Sequence, residues 1–104
     1  MATLRQHNPP HPGELIYRTY IEPFPEMSGN KIADRLGVAP STFNRLLSGK
    51  ASISPEMAVR LCEVLGGSAE SWLILQDNFD LWNARQAINT KKLKRINFDK
   101  AVMA

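Results

Sequence analysis

The chain has 104 residues, 43% of them hydrophobic and 22% charged, which supplies one small core and argues against both wholesale disorder and a two-lobed enzyme. No apolar run approaches the roughly 20 residues of a membrane-spanning helix, and the opening residues, with Arg5, His7 and early prolines, carry no signal-peptide core. The single cysteine, Cys62, cannot make an internal disulfide, so stability must come from helix packing in a protein expected to be cytoplasmic, with no membrane partner.

Five of the seven prolines fall in the first 25 residues, where each fixes its own φ and biases the preceding residue away from the helical region. Residues 1–11 therefore read as an extended N-terminal arm. A first helix is predicted from Pro12, whose missing N–H is harmless in a first turn, to Tyr20, with Leu15, Ile16 and Tyr20 on one face and Pro23 and Pro25 stopping it. Ser28 is a good N-cap for a second helix, Gly29 to Leu36, which Gly37 ends. A third follows from Pro40 to Leu47, closed by Ser48-Gly49. After a polar loop, Ser54-Pro55 opens a fourth helix to Leu65 carrying Ala58, Leu61, Cys62 and Leu65 on one face, and Gly66-Gly67 closes it. Ser68 caps a longer fifth helix carrying Trp72, Leu73, Leu75, Phe79, Trp82 and Ile88. No strand pattern intervenes, so the expected fold is all-α with five helices, organised as an arm (1–11), a helical domain (12–90) and a basic tail (91–104).

The net charge of +3 is unevenly placed. Residues 28–90 hold six basic and six acidic side chains, whereas residues 91–104 hold Lys91, Lys92, Lys94, Arg95 and Lys100 against Asp99 alone. The excess sits in the tail, so charge by itself does not locate a nucleic-acid site.

The segment from Asn30 to Gly49 does locate one. It joins two short helices by a turn of about three residues, with Ala33 small enough for the second helix to cross close above it, Gly37 permitting the turn, and Val38, Phe43 and Leu46 apolar at inward positions. That is a helix-turn-helix, whose second helix presents its N-terminal side chains to base edges in the major groove. The outward set is Ser41, Thr42, Asn44, Arg45 and Ser48, the first four of which are read as base contacts. Asn30 and Lys31 at the positive N-terminus of the second helix, with Ser48, Lys50, Ser52 and the amides after Gly49, suit phosphate contact. An ordinary helical hairpin with a glycine turn shares several of these features, and each phosphate candidate taken singly also fits a solvated surface residue.

Trp72 and Leu75 are expected in the core beneath the fourth helix. Phe79 and Trp82 lie further on, where so small a domain has little left to cover them, and with Ile88 they make a candidate dimer interface. Cys62 reads as a small buried hydrophobe. No catalytic set can be assembled, no Gly-rich phosphate loop exists, and Pro9 and Pro10 keep His7 and His11 from sharing a metal. An enzyme, a cofactor, a metal and a small-molecule substrate are therefore not expected.

Several motifs occur in order: His11-Pro12-Gly13-Glu14, the helix-turn-helix, Leu46-Leu47-Ser48-Gly49-Lys50, Ser54-Pro55-Glu56-Met57-Ala58, Trp72-Leu73-x-x-Gln76 and Asp80-Leu81-Trp82. Together they make the chain, over about residues 9–86, resemble the HigA (VapI-like) antitoxins of the Cro/C1-type helix-turn-helix family. The resemblance implies a lambda-repressor-like fold and a dimeric type II antitoxin that binds a HigB-like mRNA-cleaving toxin. It also implies repression of its own operon through a palindromic double-stranded operator, with base reading carried over to Ser41, Thr42 and Arg45. Two departures stand out: Pro40 occupies a place where many such repressors put a base-reading polar side chain, and the resemblance does not explain the basic tail after Thr90. A stand-alone phage-type repressor and a protein-interaction module that keeps the motif only as scaffold are the alternatives.

Overall fold

The computed structural model describes residues 8–99. Residues 1–7, with His7 and most of the expected arm, and residues 100–104, with Lys100, lie outside the described residues. Five helices carry the fold: α1 from Pro12–Ile16 continuing as a π-helical turn Tyr17–Ile21, α2 Gly29–Leu36, α3 Pro40–Leu47, α4 Pro55–Leu65 and α5 Ala69–Ala87, followed by a short 3-10 turn at Thr90–Lys92. No strand occurs among the described residues.

The local punctuation acts as its chemistry requires. The Ser28, Ser54 and Ser68 hydroxyls each accept from the backbone N–H three residues on, satisfying a donor the helix itself cannot. Ser71 answers Ser68 to complete a capping box. At the end of α2, Gly37 takes φ 75°, a left-handed conformation open to glycine without strain. The Val38 N–H then reaches the Ala33 carbonyl at 3.0 Å and the Gly37 N–H the Asp34 carbonyl at 3.1 Å, a Schellman motif. Arg60 of α4 donates to the Leu36 carbonyl at 2.7 Å and pairs with Glu56 at 3.2 Å, tying α4 to the end of α2.

The core gathers Ile16, Ile32, Ala33, Leu36, Phe43, Leu46, Ile53, Met57, Ala58, Leu61 and Trp72. Trp72 sits there as expected, its indole N–H donating to the Gly66 carbonyl at 2.9 Å, and Leu75 packs against the cluster half-buried. Four expectations are corrected. The first helix runs one residue past Tyr20 and widens into the π turn, closed by the Glu22 N–H on the Tyr17 carbonyl at 2.8 Å; the wider turn leaves Tyr20 and Ile21 half-buried against the core while Tyr17, Arg18 and Thr19 face out. Ile88 is not helical but the extended residue that caps α5. Cys62 is half-buried, its thiol near the Val59 carbonyl at 3.1 Å. The loop before Ser54 is not wholly polar, because Ile53 is buried in the core.

The closest approach is at Gly13. A Cβ there would lie 1.9 Å from the Leu46 carbonyl oxygen and 2.9 Å from the Leu47 Cα, so α1 rests directly on the backbone at the end of α3. No helix among the described residues is long and apolar enough to cross a membrane.

Candidate nucleic-acid interface

The outer surface of α3 is built by subtraction. Phe43 and Leu46 are buried and Leu47 is half-buried against the core, which leaves Ser41, Thr42, Asn44, Arg45 and Ser48 exposed. Ser41 and Arg45 are one turn apart and share a face. Asn44 stands nearer α2, its Oδ1 only 3.3 Å from where a Gly29 Cβ would be. Pro40 opens the helix behind Ala39, which contributes no side-chain cap.

The proposed phosphate groups, Asn30, Lys31, Ser48, Lys50 and Ser52, are likewise exposed, but several polar groups around them are already engaged. The Lys31 ammonium donates to the Glu26 carbonyl at 2.8 Å, drawing it towards the α1–α2 connection. The Ser48 hydroxyl donates to the Arg45 carbonyl at 3.2 Å, and the Arg45 guanidinium donates to the Lys50 carbonyl at 3.4 Å. The expected free amides after Gly49 are also corrected. Gly49 N–H bonds the Leu46 carbonyl at 3.1 Å, while Lys50 and Ala51 N–H both bond the Arg45 carbonyl, at 2.8 and 3.1 Å. With Gly49 at φ 80°, this is a second Schellman motif, and its donors finish α3 rather than await an anion.

Sequence reasoning missed the group that sits behind this loop. His11 is the N-cap of α1, its Nδ1 accepting from Gly13 N–H at 2.9 Å, although histidine is not a usual capping residue. Its ring lies edge-on to Phe79 of α5, centroids 4.9 Å apart at 77°. Burial lowers its pKa from 6.5, outweighing the opposite pulls of the Ala51 backbone hydrogen bond and the Asp80 charge. Phe79 is therefore half-buried, and the expectation that little remained to cover it is corrected: the arm's last residue does so. Nothing in residue type foretold this, though His11, Gln76 and Asp80 all belong to the ordered motifs.

On α5 the solvent side carries Ile74, Leu81 and, just past its end, Ile88, each seven residues from the next and 47–56% exposed. Trp82 is half-buried. Ile74 and Leu81 were not singled out from the sequence, although their seven-residue spacing was there to read.

Comparison with known proteins accords with this geometry. The Helix-turn-helix family profile matches residues 26–72, spanning α2, α3 and α4. The HTH-type transcriptional regulator YddM of Escherichia coli (strain K12) is 37% identical over 93 residues, 89% of this chain and 97% of that protein. An addiction module antidote protein of a HigA family from Coxiella burnetii superposes with a TM-score of 0.77 at 29% identity, over 86% of this chain and 99% of that one. The Pseudomonas aeruginosa antitoxin HigA, solved with the higBA promoter, superposes with a TM-score of 0.72 at 31% identity, over 86% of this chain and 96% of its own. The chain thus belongs to the helix-turn-helix regulator family that contains the HigA antitoxins.

Proposed function

We propose that the chain is the antitoxin of a HigB–HigA-type pair: a cytoplasmic homodimer, acting by binding rather than catalysis, that represses its own operon at a palindromic operator and neutralises an mRNA-cleaving toxin. The observation that carries the DNA half is the outer face of α3, where Ser41, Thr42, Asn44 and Arg45 remain exposed on a helix whose other face is buried in the core. Arginine suits guanine O6 and N7, asparagine suits adenine, and the hydroxyls suit either. Asn30, Lys31, Ser48, Lys50 and Ser52 flank that face and position the backbone. The likeness to a HigA solved with its promoter supports this assignment, and membership of a family that contains the HigA antitoxins supports the toxin half. Trp82 and Ile88, joined by Ile74 and Leu81 and bordered by Phe79, supply the apolar surface for the dimer.

The test is a shift assay on the chain's own promoter, paired with co-purification of the products of adjacent genes. Binding is expected at a two-fold symmetric site with half-sites about one helical turn apart, since a dimer must present both recognition helices to one side of the duplex. Equal affinity of a monomer for asymmetric DNA would sink the repressor half. Failure of every neighbouring product to co-purify would sink the antitoxin half.

A further inference from the structure

Three segments remote in sequence meet behind the loop that leaves α3. From the arm comes the His11 ring; a Gly49 Cβ would lie 3.7 Å from it, and the Ala51 backbone is placed to favour its protonated form. From α5 comes Gln76, a fully packed polar side chain at 3% exposure. Its Oε1 accepts from Ile53 N–H at 2.8 Å, and its Nε2 donates to Asp80 Oδ1 at 3.0 Å. Asp80 in turn attracts His11, whose ring also meets Phe79 edge-on. The loop between these groups, 49–53, carries Lys50, whose carbonyl is bonded by the Arg45 guanidinium.

We propose that His11, Gln76 and Asp80 are positioning residues for DNA binding: they clamp loop 49–53 so that Lys50 is held at the duplex beside the reading face of α3. The inference rests on the DNA-binding function proposed above, and it assigns these three motif residues a task that neither touches a base nor merely fills the core. The reason is geometric. A two-ended clamp, with Gln76 at Ile53 and His11 at Gly49 and Ala51, removes the freedom of a short exposed loop before DNA arrives, so the ordering entropy is not charged against binding. Because Gln76 and Phe79 project from the helix whose outer side forms the proposed protein interface, the clamp also joins that helix mechanically to the loop.

The test compares His11→Asn, which keeps a side-chain acceptor at the α1 N-cap but loses the ring, with Asp80→Ala and its conservative counterpart Asp80→Asn. In His11→Asn, hydrogen exchange at the Ala51 and Ile53 amides is expected to quicken about tenfold while α4 amides keep the wild-type rate, as local opening requires. Affinity for operator and scrambled DNA is expected to fall alike, by roughly three- to tenfold, and the salt slope to shrink by about one phosphate contact. His11→Asn with Lys50→Ala should bind no more weakly than Lys50→Ala alone. Asp80→Ala should show the same pattern more weakly, and Asp80→Asn should restore it. A merely destabilised protein would instead lose active fraction at an unchanged salt slope, and that outcome overturns the proposal, as does unaltered exchange at Ala51 and Ile53 or full additivity with Lys50→Ala. If the wild-type chain binds no promoter DNA, the preceding function fails instead, and amide exchange alone then decides whether the clamp exists.

Discussion

The segment from Ser28 to Leu65 and the distal half of α5 are both helical, but they are held in different ways. In the first, α2 and α4 begin on a serine cap, α2 and α3 end on a left-handed glycine, and every helix buries a face in one core. In the second, the helix runs on from Asp77 to Ala87 without one fully buried residue, while Leu81 on its flank and Ile88 just past its end face solvent. A free helix of that length is marginal in water, so this half is stabilised through something beyond its own core contacts. The DNA-reading unit is thus held by buried faces and local caps, whereas the distal half of α5 is only half-covered, and that is the surface on which the proposed dimer rests.

The two tryptophans of α5 sharpen that contrast most. Trp72→Ala is expected to destabilise the fold by about 3 to 5 kcal/mol, the cost of emptying a core aromatic site, with the Gly66 carbonyl bond lost as well. Trp82→Ala should leave helicity and melting nearly unchanged and shift the protein towards monomer, because it removes interface area. Thermal denaturation and analytical ultracentrifugation of both separate the outcomes; a Trp82→Ala protein that melts early while staying dimeric would erase the distinction between the halves.

The next largest effect tests how tightly α1 is packed onto the end of α3. Gly13→Ala should cost about 2 to 3 kcal/mol, since its Cβ would meet backbone that cannot rotate away and overpacking outweighs the small gain in helix propensity. Gly29→Ala meets side-chain atoms at 3.3 Å, which can give, and should stay within about 0.5 kcal/mol of wild type. Denaturant titration gives both values, and equal losses would show that the contact at Leu46 is not special.

Within the reading face, Arg45→Ala should cost about 1 to 3 kcal/mol on the cognate operator and relax preference at one base pair. Lys50→Ala should weaken all sequences alike and lower the salt slope by about one phosphate. Salt titrations on cognate and scrambled DNA make the comparison, and identical behaviour would undo the division into base reader and phosphate contact.

What could be read in advance follows the same boundary. The limits of α2, α3 and α4 match expectation residue for residue because Ser28, Gly37, Pro40, Ser54-Pro55 and Gly66 act on their immediate neighbours, and the outward set of α3 follows from helical period alone. What escaped was a set of contacts between segments remote in sequence. Gly13 is only one letter of a motif until Leu46 lies against it; Ile53 reads as loop until Gln76 takes its N–H; Phe79 reads as uncovered until His11 reaches it from the arm. His11 itself, an unconventional cap in a proline-rich stretch, gave no local sign that it sits between two ends of the fold.

That residue is expected to make the arm-to-α5 junction sensitive to acid. Its pKa is lowered in the folded chain, chiefly by burial and against the Ala51 and Asp80 contributions, so below pH 6.5 the unfolded state takes up its proton first. The stabilisation is fully present above that pH and is lost as pH falls through the lowered folded value. Wild-type melting should therefore drop between about pH 7.5 and pH 5.5 by more than that of His11→Asn. Parallel slopes for the two proteins would show that the junction does not feel the proton.

The smallest effect on the fold is expected from removing residues 91–104. In the described part of this tail, Leu93, Ile96 and Phe98 are 65%, 62% and 66% exposed, interleaved with Lys91, Lys92, Lys94 and Arg95, which are exposed too. Such side chains contribute nothing to the core, so melting should change by less than about 0.5 kcal/mol in stability terms. No member of the reading face is removed, so the ranking of operator sequences should be unaltered. The tail does hold the chain's whole excess of positive charge, and that charge attracts phosphate without regard to sequence. Affinity at low salt is therefore expected to fall for cognate and scrambled DNA alike, with a shallower salt dependence. If affinity holds but the toxin no longer co-purifies, the three apolar side chains are the tail's working part and the lysines only keep it soluble. If neither changes, the tail is a solvated end, and the surface awaiting a partner is confined to α5.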